Sequence, residues 1–165
     1  MGTPIARYPI EFASAVSSLE IVQLLLNRGA KLEGTNALHA AAGIGSDHYN
    51  SAERIKVMEL LLENGANIDA IEFESDREFA KSCWKRTYGT PLQYAAAAGW
   101  EDGVKFLLER GADKEILGLV YHTDQRWGTA LDWQKLSDED EGYHSARVLK
   151  LLGDKKNIDA KGGDA

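Results

Sequence analysis

His122 and Asp124 stand at the spacing of two metal ligands, yet a metal ion needs three or four convergent ligands and nothing obvious around this pair supplies the rest. The other histidines, His39, His48 and His144, are scattered along the chain. Cys83 lies beside Trp84 and Lys85, a setting that lowers a thiol pKa, but a nucleophile also needs a placed base and none is identifiable. Gly43 and Gly45 lack the preceding strand and the third glycine of a phosphate-cradling loop, so they read as a turn. The carboxylates from Asp138 to Glu141 are consecutive and therefore splay apart. With Ser137 as cap they read as a charged helix entry. No catalytic set, metal site or cofactor is expected from these residues, and an enzyme is the less favoured class.

A second kind of chemistry, partner recognition, is better represented. The segment 71–88 combines Phe73, Phe79, Trp84 and Tyr88 with acidic residues in its first half and Lys81, Lys85 and Arg86 in its second. A shorter segment, 117–127, carries Tyr121, His122, Asp124, Gln125, Arg126 and Trp127. Aromatic and arginine side chains on projecting segments are the usual anchors of protein interfaces. The competing expectation is that the aromatics fold back over their neighbours and leave the charges in water. For any single ring that covering role is favoured, and for the segment as a whole the interface role is.

What must position these segments is a unit used repeatedly. Leu24-Leu25-Leu26-Asn27-Arg28-Gly29-Ala30 recurs as Leu60-Leu61-Leu62-Glu63-Asn64-Gly65-Ala66 and as Phe106-Leu107-Leu108-Glu109-Arg110-Gly111-Ala112, with a weaker copy ending at Gly153. A glycine just past a helix supplies the left-handed conformation that closes it without a Cβ penalty. Upstream lies a start signal, clearest in Thr90-Pro91-Leu92-Gln93. Thr90 suits the N-cap, Pro91 the first helical position, and Gln93 completes a capping box. Its equivalents begin at Tyr8, Asn36 and Thr129. Each unit is thus a short alanine-rich helix, a turn, and a longer leucine-rich helix.

These residues resemble the ankyrin repeat, whose period is about 33 residues and whose signature is Thr-Pro-Leu-His-x-Ala. Gly89 to Asp113 follows the pattern almost throughout, and Leu38-His39-Ala40-Ala41 carries its core. The resemblance implies an all-α solenoid of stacked helix-turn-helix units with β-hairpin or loop fingers. One domain is expected over 1–154, with repeats at 8–33, 34–70, 89–115 and 128–154, the insertion at 71–88, and a polar, disordered tail at 155–165. The closing glycines at 29, 65, 111 and 153 stand farther apart than the family period. The added length lies between the helices of the second unit and in the two finger positions, whereas the finger between Gly29 and Asn36 is truncated. Such insertions extend one face without disturbing the stack.

By the same resemblance the chain is a non-catalytic scaffold that binds another protein or peptide on its concave groove and fingers. That implicates Gln93, Tyr94, Asp132 and Trp133 on the inner helices, beside both fingers. His39 falls in the slot where the family's histidine bonds within the repeat framework. An alternative is an enzyme or small-molecule binder whose pocket is closed by the insertions 71–88 and 117–127, lined by Tyr88, His122, Asp124 and Trp133. A third is a piece of a longer solenoid. Asp132, Gln134 and Lys135 argue instead for a C-terminal cap, while a repeat ahead of Tyr8 is left open.

Composition narrows the classes further. The 165 residues are 44% hydrophobic and 27% charged, enough for one continuous core. A single cysteine excludes an intramolecular disulfide framework and suits a reducing compartment. The net charge of −7 repels nucleic acid, which is not expected as a partner. No apolar run approaches the length that crosses a membrane, so no membrane partner is expected either. An intracellular, cytoplasmic chain is the default, with the nucleus as the other compartment.

Overall fold

A computed structural model describes residues 7–43, 51–74, 76, 78, 87–121, 126–141 and 145–153, with 120, 121, 126 and 137–141 described by backbone alone. Its helices come in pairs: α1 (Pro9–Val16) with α2 (Leu19–Asn27), α3 (Ala37–Ala42) with α4 (Ser51–Glu63), α5 (Pro91–Ala97) with α6 (Glu101–Glu109), and α7 (Ala130–Glu141) with α8 (Ala146–Leu152). The first helices pack successively on one another, α1 on α3, α3 on α5, α5 on α7, and form an inner row. The second helices do the same from α2 to α8 and form an outer row. Between α6 and α7 the chain makes an antiparallel hairpin, β1 (Gly118–Tyr121) and β2 (Arg126–Gly128).

The local signals act as their chemistry dictates. Thr90 Oγ1 accepts the Gln93 N–H at 3.3 Å, and Gln93 Oε1 accepts the Thr90 N–H at 2.7 Å, closing the capping box at the start of α5. The glycines after the outer helices all lie in the left-handed region, with φ of +87° at Gly29, +91° at Gly65, +89° at Gly111 and +95° at Gly153. A side chain at these points would be strained whatever space it had, which is why the same residue recurs there.

Burial between the rows supplies the core. Leu38, Ala41, Val57, Met58, Leu61, Leu92, Ala95, Val104, Leu107 and Val148 belong to one buried cluster running through all four pairs. The alanines of α3 and α5 let the inner helices approach closely, since a short side chain adds little to the interaxial distance. Outer helices are stitched by polar contacts. Glu53 on α4 accepts the free Leu19 N–H of α2 at 3.1 Å, Trp100 Nε1 donates to Ser51 Oγ at 2.9 Å, and Ser51 Oγ donates to Asp102 at 3.0 Å. Gly103 is required by that arrangement, because a Cβ there would stand 2.2 Å from the Trp100 ring. The fourth pair differs from expectation in two respects: Asp132 and Lys135 face solvent but Gln134 is fully buried, and residues 137–141, expected to open a helix behind Ser137, are the last turns of α7.

The tail 155–165 lies outside the described residues, as do Phe79, Cys83, Trp84, His48 and His144. Among the described residues, no helix is long and apolar enough to cross a membrane.

Candidate functional site

The third residue of each inner helix is polar, and where it goes decides what the inner face can offer a partner. Glu11 of α1 accepts the Asn36 N–H, at the entrance of α3, at 2.6 Å. His39 of α3 donates from Nε2 to the Ala70 carbonyl at 2.8 Å. Gln93 of α5 donates from Nε2 to the carbonyls of Ile116 and Gly128, both at 2.9 Å. Each side chain ties its own unit to the connection that follows, and Glu11, His39 and Gln93 are buried. Asp132, at the same position in α7, instead folds back and accepts from the backbone N–H (2.9 Å) and hydroxyl (2.8 Å) of Thr129.

Gln93 was expected on a contact surface, and the structure places it inside, 1% exposed. The next residue on α5 and on α7 is buried as well. Tyr94 is 3% exposed and Trp133 is fully buried, with ring centroids 5.4 Å apart and planes at 70°. Tyr94 also meets His39 edge-on at 6.0 Å and donates its hydroxyl to the buried carboxylate of Glu72. These groups therefore join successive units rather than face a groove. The physical reason is size: a ring at this position spans the gap to the preceding inner helix, and burying it removes a large apolar area from water.

Burial, with the Glu72 charge and its hydrogen bond added to it, pushes the Tyr94 phenol well above its usual range. The unfolded chain releases this proton near pH 10 while the folded chain keeps it. The stabilisation is therefore complete below about pH 10 and is lost as pH rises towards the folded value. Thermal melting of Tyr94→Phe beside the parent chain checks this, with the gap between the two expected to narrow above about pH 10.

Of the segment 71–88, the two ends are described. Phe73 has φ +55°, is 5% exposed, and donates its backbone N–H to Asn36 Oδ1 at 3.2 Å. Tyr88 exchanges backbone hydrogen bonds with Leu119 at 2.9 and 2.7 Å, so it lies alongside β1 as an added strand residue. Phe73, Tyr88 and Leu119 form a small separate core under the hairpin. For these two aromatics the covering role is the one observed. Glu72, between Ile71 and Phe73, is a buried acid that sequence reasoning did not single out. Nothing in its local pattern marks it, since its partner lies on another element.

The hairpin leaves one ring exposed. Trp127 pairs with Leu119 across the two strands, and while Leu119 is buried, Trp127 is 50% exposed. Leu117, just before β1, is 53% exposed and was not anticipated. Tyr121 and Arg126 form the last pair before the turn, whose residues His122 and Asp124 lie outside the described residues. A separate groove of about 770 Å³ opens where the first finger is truncated, between the connection 30–36 and the residues 64–74. Leu32, Asn36, His39, Asn67 and Glu74 are among its walls. It is not the pocket expected between the insertions 71–88 and 117–127. Among the described residues no group of three or more His, Cys, Asp or Glu could hold a metal ion.

Comparison with known proteins agrees with this arrangement. A family model described as ankyrin repeats matches residues 10–117 in three copies. Ankyrin repeat protein nuc-2 of Neurospora crassa is 34% identical over an alignment of 112 residues that covers 66% of this chain. The match spans only 9% of the length of that relative.

Proposed function

This chain belongs to the ankyrin repeat family, and we propose that it is a non-catalytic module that holds a partner protein or peptide along the finger side of its stack. The observation that carries the proposal is Trp127, a large aromatic half exposed on a strand that is hydrogen-bonded to its neighbour. A ring held on a rigid element loses little conformational freedom on binding, which is what makes tryptophan a frequent hot spot. Leu117, exposed one residue before β1, adds apolar surface to the same finger, and Asp132, exposed at the start of α7, adds a charge. Phe79, Trp84, Tyr121, His122, Asp124 and Arg126 join the proposed face by their place in the two fingers. The groove beside residues 30–36 offers room for an extended segment of the same partner.

The pair α7 and α8, beyond the matched residues, is read as a fourth, divergent unit of one domain over 1–154. A cytoplasmic or nuclear setting fits the single cysteine and the acidic charge. Affinity capture from cell extract with the tagged chain tests the binding role. Proteins recovered by the parent chain should be depleted at least about tenfold by Trp127→Ala, a loss of about 1.4 kcal/mol, with melting unchanged. Equal recovery by a folded Trp127→Ala chain argues against the finger face.

A further inference from the structure

Tyr88 and Trp127 hold the same place in two successive fingers, each two residues before the threonine that precedes the next inner helix. Tyr88 donates its backbone N–H to the Leu119 carbonyl at 2.9 Å and accepts the Leu119 N–H at 2.7 Å. Leu119 thereby commits both of its backbone groups to Tyr88. Since the N–H and C=O of a strand residue point to one side, Leu119 and Trp127 pair without hydrogen bonds between them, and the backbone groups of Trp127 point away from β1. They meet no hydrogen-bond partner among the described residues. The rings differ in the same way: Tyr88, packed with Leu119, is 4% exposed, against 50% for Trp127. Trp127 is therefore an open strand edge of the kind that Tyr88 shows filled.

The device that seats a further finger of the same chain stops at α7. His39 Nε2 holds the Ala70 carbonyl, five residues past Gly65, and Gln93 Nε2 holds the Ile116 carbonyl, five past Gly111. Asp132 stands at that position in α7, has no hydrogen to give as a carboxylate, and is bound to Thr129. We infer that the edge at Trp127 docks an extended, basic segment of a partner protein, added to β2 as Leu119 is added to Tyr88. This rests on the reading of the chain as a partner-binding module. Charge selects the occupant. Residues 113–141, which build the hairpin and α7 around this edge, hold eight acidic and three basic side chains, and so five of the seven net negative charges of the chain. A second copy would bring the same sign to the edge, whereas a strand bearing Lys or Arg is attracted. A residue paired directly with Trp127 lies on the face of the indole, so a Lys or Arg there sets its cation against the ring. Towards α7 the edge is closed, because the Thr129 N–H goes to Asp132 and its carbonyl accepts from Trp133 at 3.0 Å. Trp127 is thus the anchoring pair.

Residue-resolved amide hydrogen exchange on the full chain tests this, with the probe taken as the peptide most enriched by the chain from a displayed library of short random peptides. The Trp127 amide of the free chain should exchange rapidly. Enriched peptides should carry net positive charge, and the probe should slow exchange at Trp127 at least about tenfold. N-methylation of alternate residues in the probe should weaken binding at least about tenfold in one register and leave it unchanged in the other, since only one edge of an added strand faces β2. Equal tolerance of both registers overturns the inference, and so does enrichment of acidic or uncharged peptides. An enriched peptide that leaves exchange at Trp127 unchanged also overturns it, while the binding role stands on another surface. Protection of Trp127 in the free chain that is lost on removal of residues 155–165, or on dilution, assigns the edge to the chain itself or to a second copy and overturns it too. If no peptide is enriched but proteins are still recovered from extract, the edge alone is wrong. If neither route captures anything, the binding reading falls with it.

Discussion

Trp133→Ala is expected to lower stability by about 3–5 kcal/mol, the largest effect of any single change considered, because the fully buried indole is removed and the void cannot close. The ring lies edge-on to Tyr94, and its six-membered edge lies over Gly89, where an added Cβ would stand 2.6 Å away. Loss of the indole therefore loosens both the α5–α7 contact and the start of α5. Since folded domains are stable by only about 5–15 kcal/mol, the variant should melt much earlier and less cooperatively. Denaturant titration by circular dichroism checks it. A Trp133→Ala chain that melts with the parent would mean that the indole stands outside the stack.

Leu61→Ala is expected to destabilise by about 2–5 kcal/mol. Leu61 lies in α4, fully buried, within the cluster that spans the units. In a solenoid each unit is held only by its neighbours, so a cavity in the second unit weakens its contacts with the first and the third. The denaturation midpoint should fall, with the exposed i,i+4 pair of Lys105 and Glu109 as a reference, since Lys105→Ala should change it by less than about 0.5 kcal/mol. A parent-like midpoint for Leu61→Ala would mean that the leucine triplet faces water.

These two expectations differ in how far the sequence announces them. Leu61 is legible: the triplet before Gly65 recurs before Gly29 and Gly111, and a periodic apolar face has one place to go. The capping box at Thr90 and the closing glycines are equally local, so residue chemistry alone places the helix ends. Trp133 is not legible in this way. A large ring on an inner helix suits a partner groove and an inter-unit contact equally, and which it does depends on the distance to the preceding helix. Comparing Phe12, Ala40, Tyr94 and Trp133 at one register was the available signal. It shows a position that changes size from unit to unit, as packing positions do when the spacing between units varies.

Gln93 is missed for a related reason. Its capping role is written in Thr90-Pro91-Leu92-Gln93, but its Nε2 bonds to Ile116 and Gly128 come from chain far ahead in sequence. Once that amide bridges the base of the hairpin, it is unavailable to a partner. Removing it would leave two carbonyls short of a donor in a buried place. The second finger, by contrast, behaves as its pattern implies. Leu119 and Trp127 pair across the strands, the leucine packed with Phe73 and Tyr88 and the indole left half in water. Glu72 shows the limit of local reasoning, for a buried carboxylate is tolerated only where a donor such as the Tyr94 hydroxyl meets it, and that donor is on α5.

Covalent footprinting of tryptophan in the native chain, read residue by residue by mass spectrometry, tests the division between stack and finger most directly. The stacked arrangement predicts rapid labelling of Trp127 and strong protection of Trp100 and Trp133 until the chain unfolds. Labelling of Trp133 as fast as Trp127 under native conditions would contradict it.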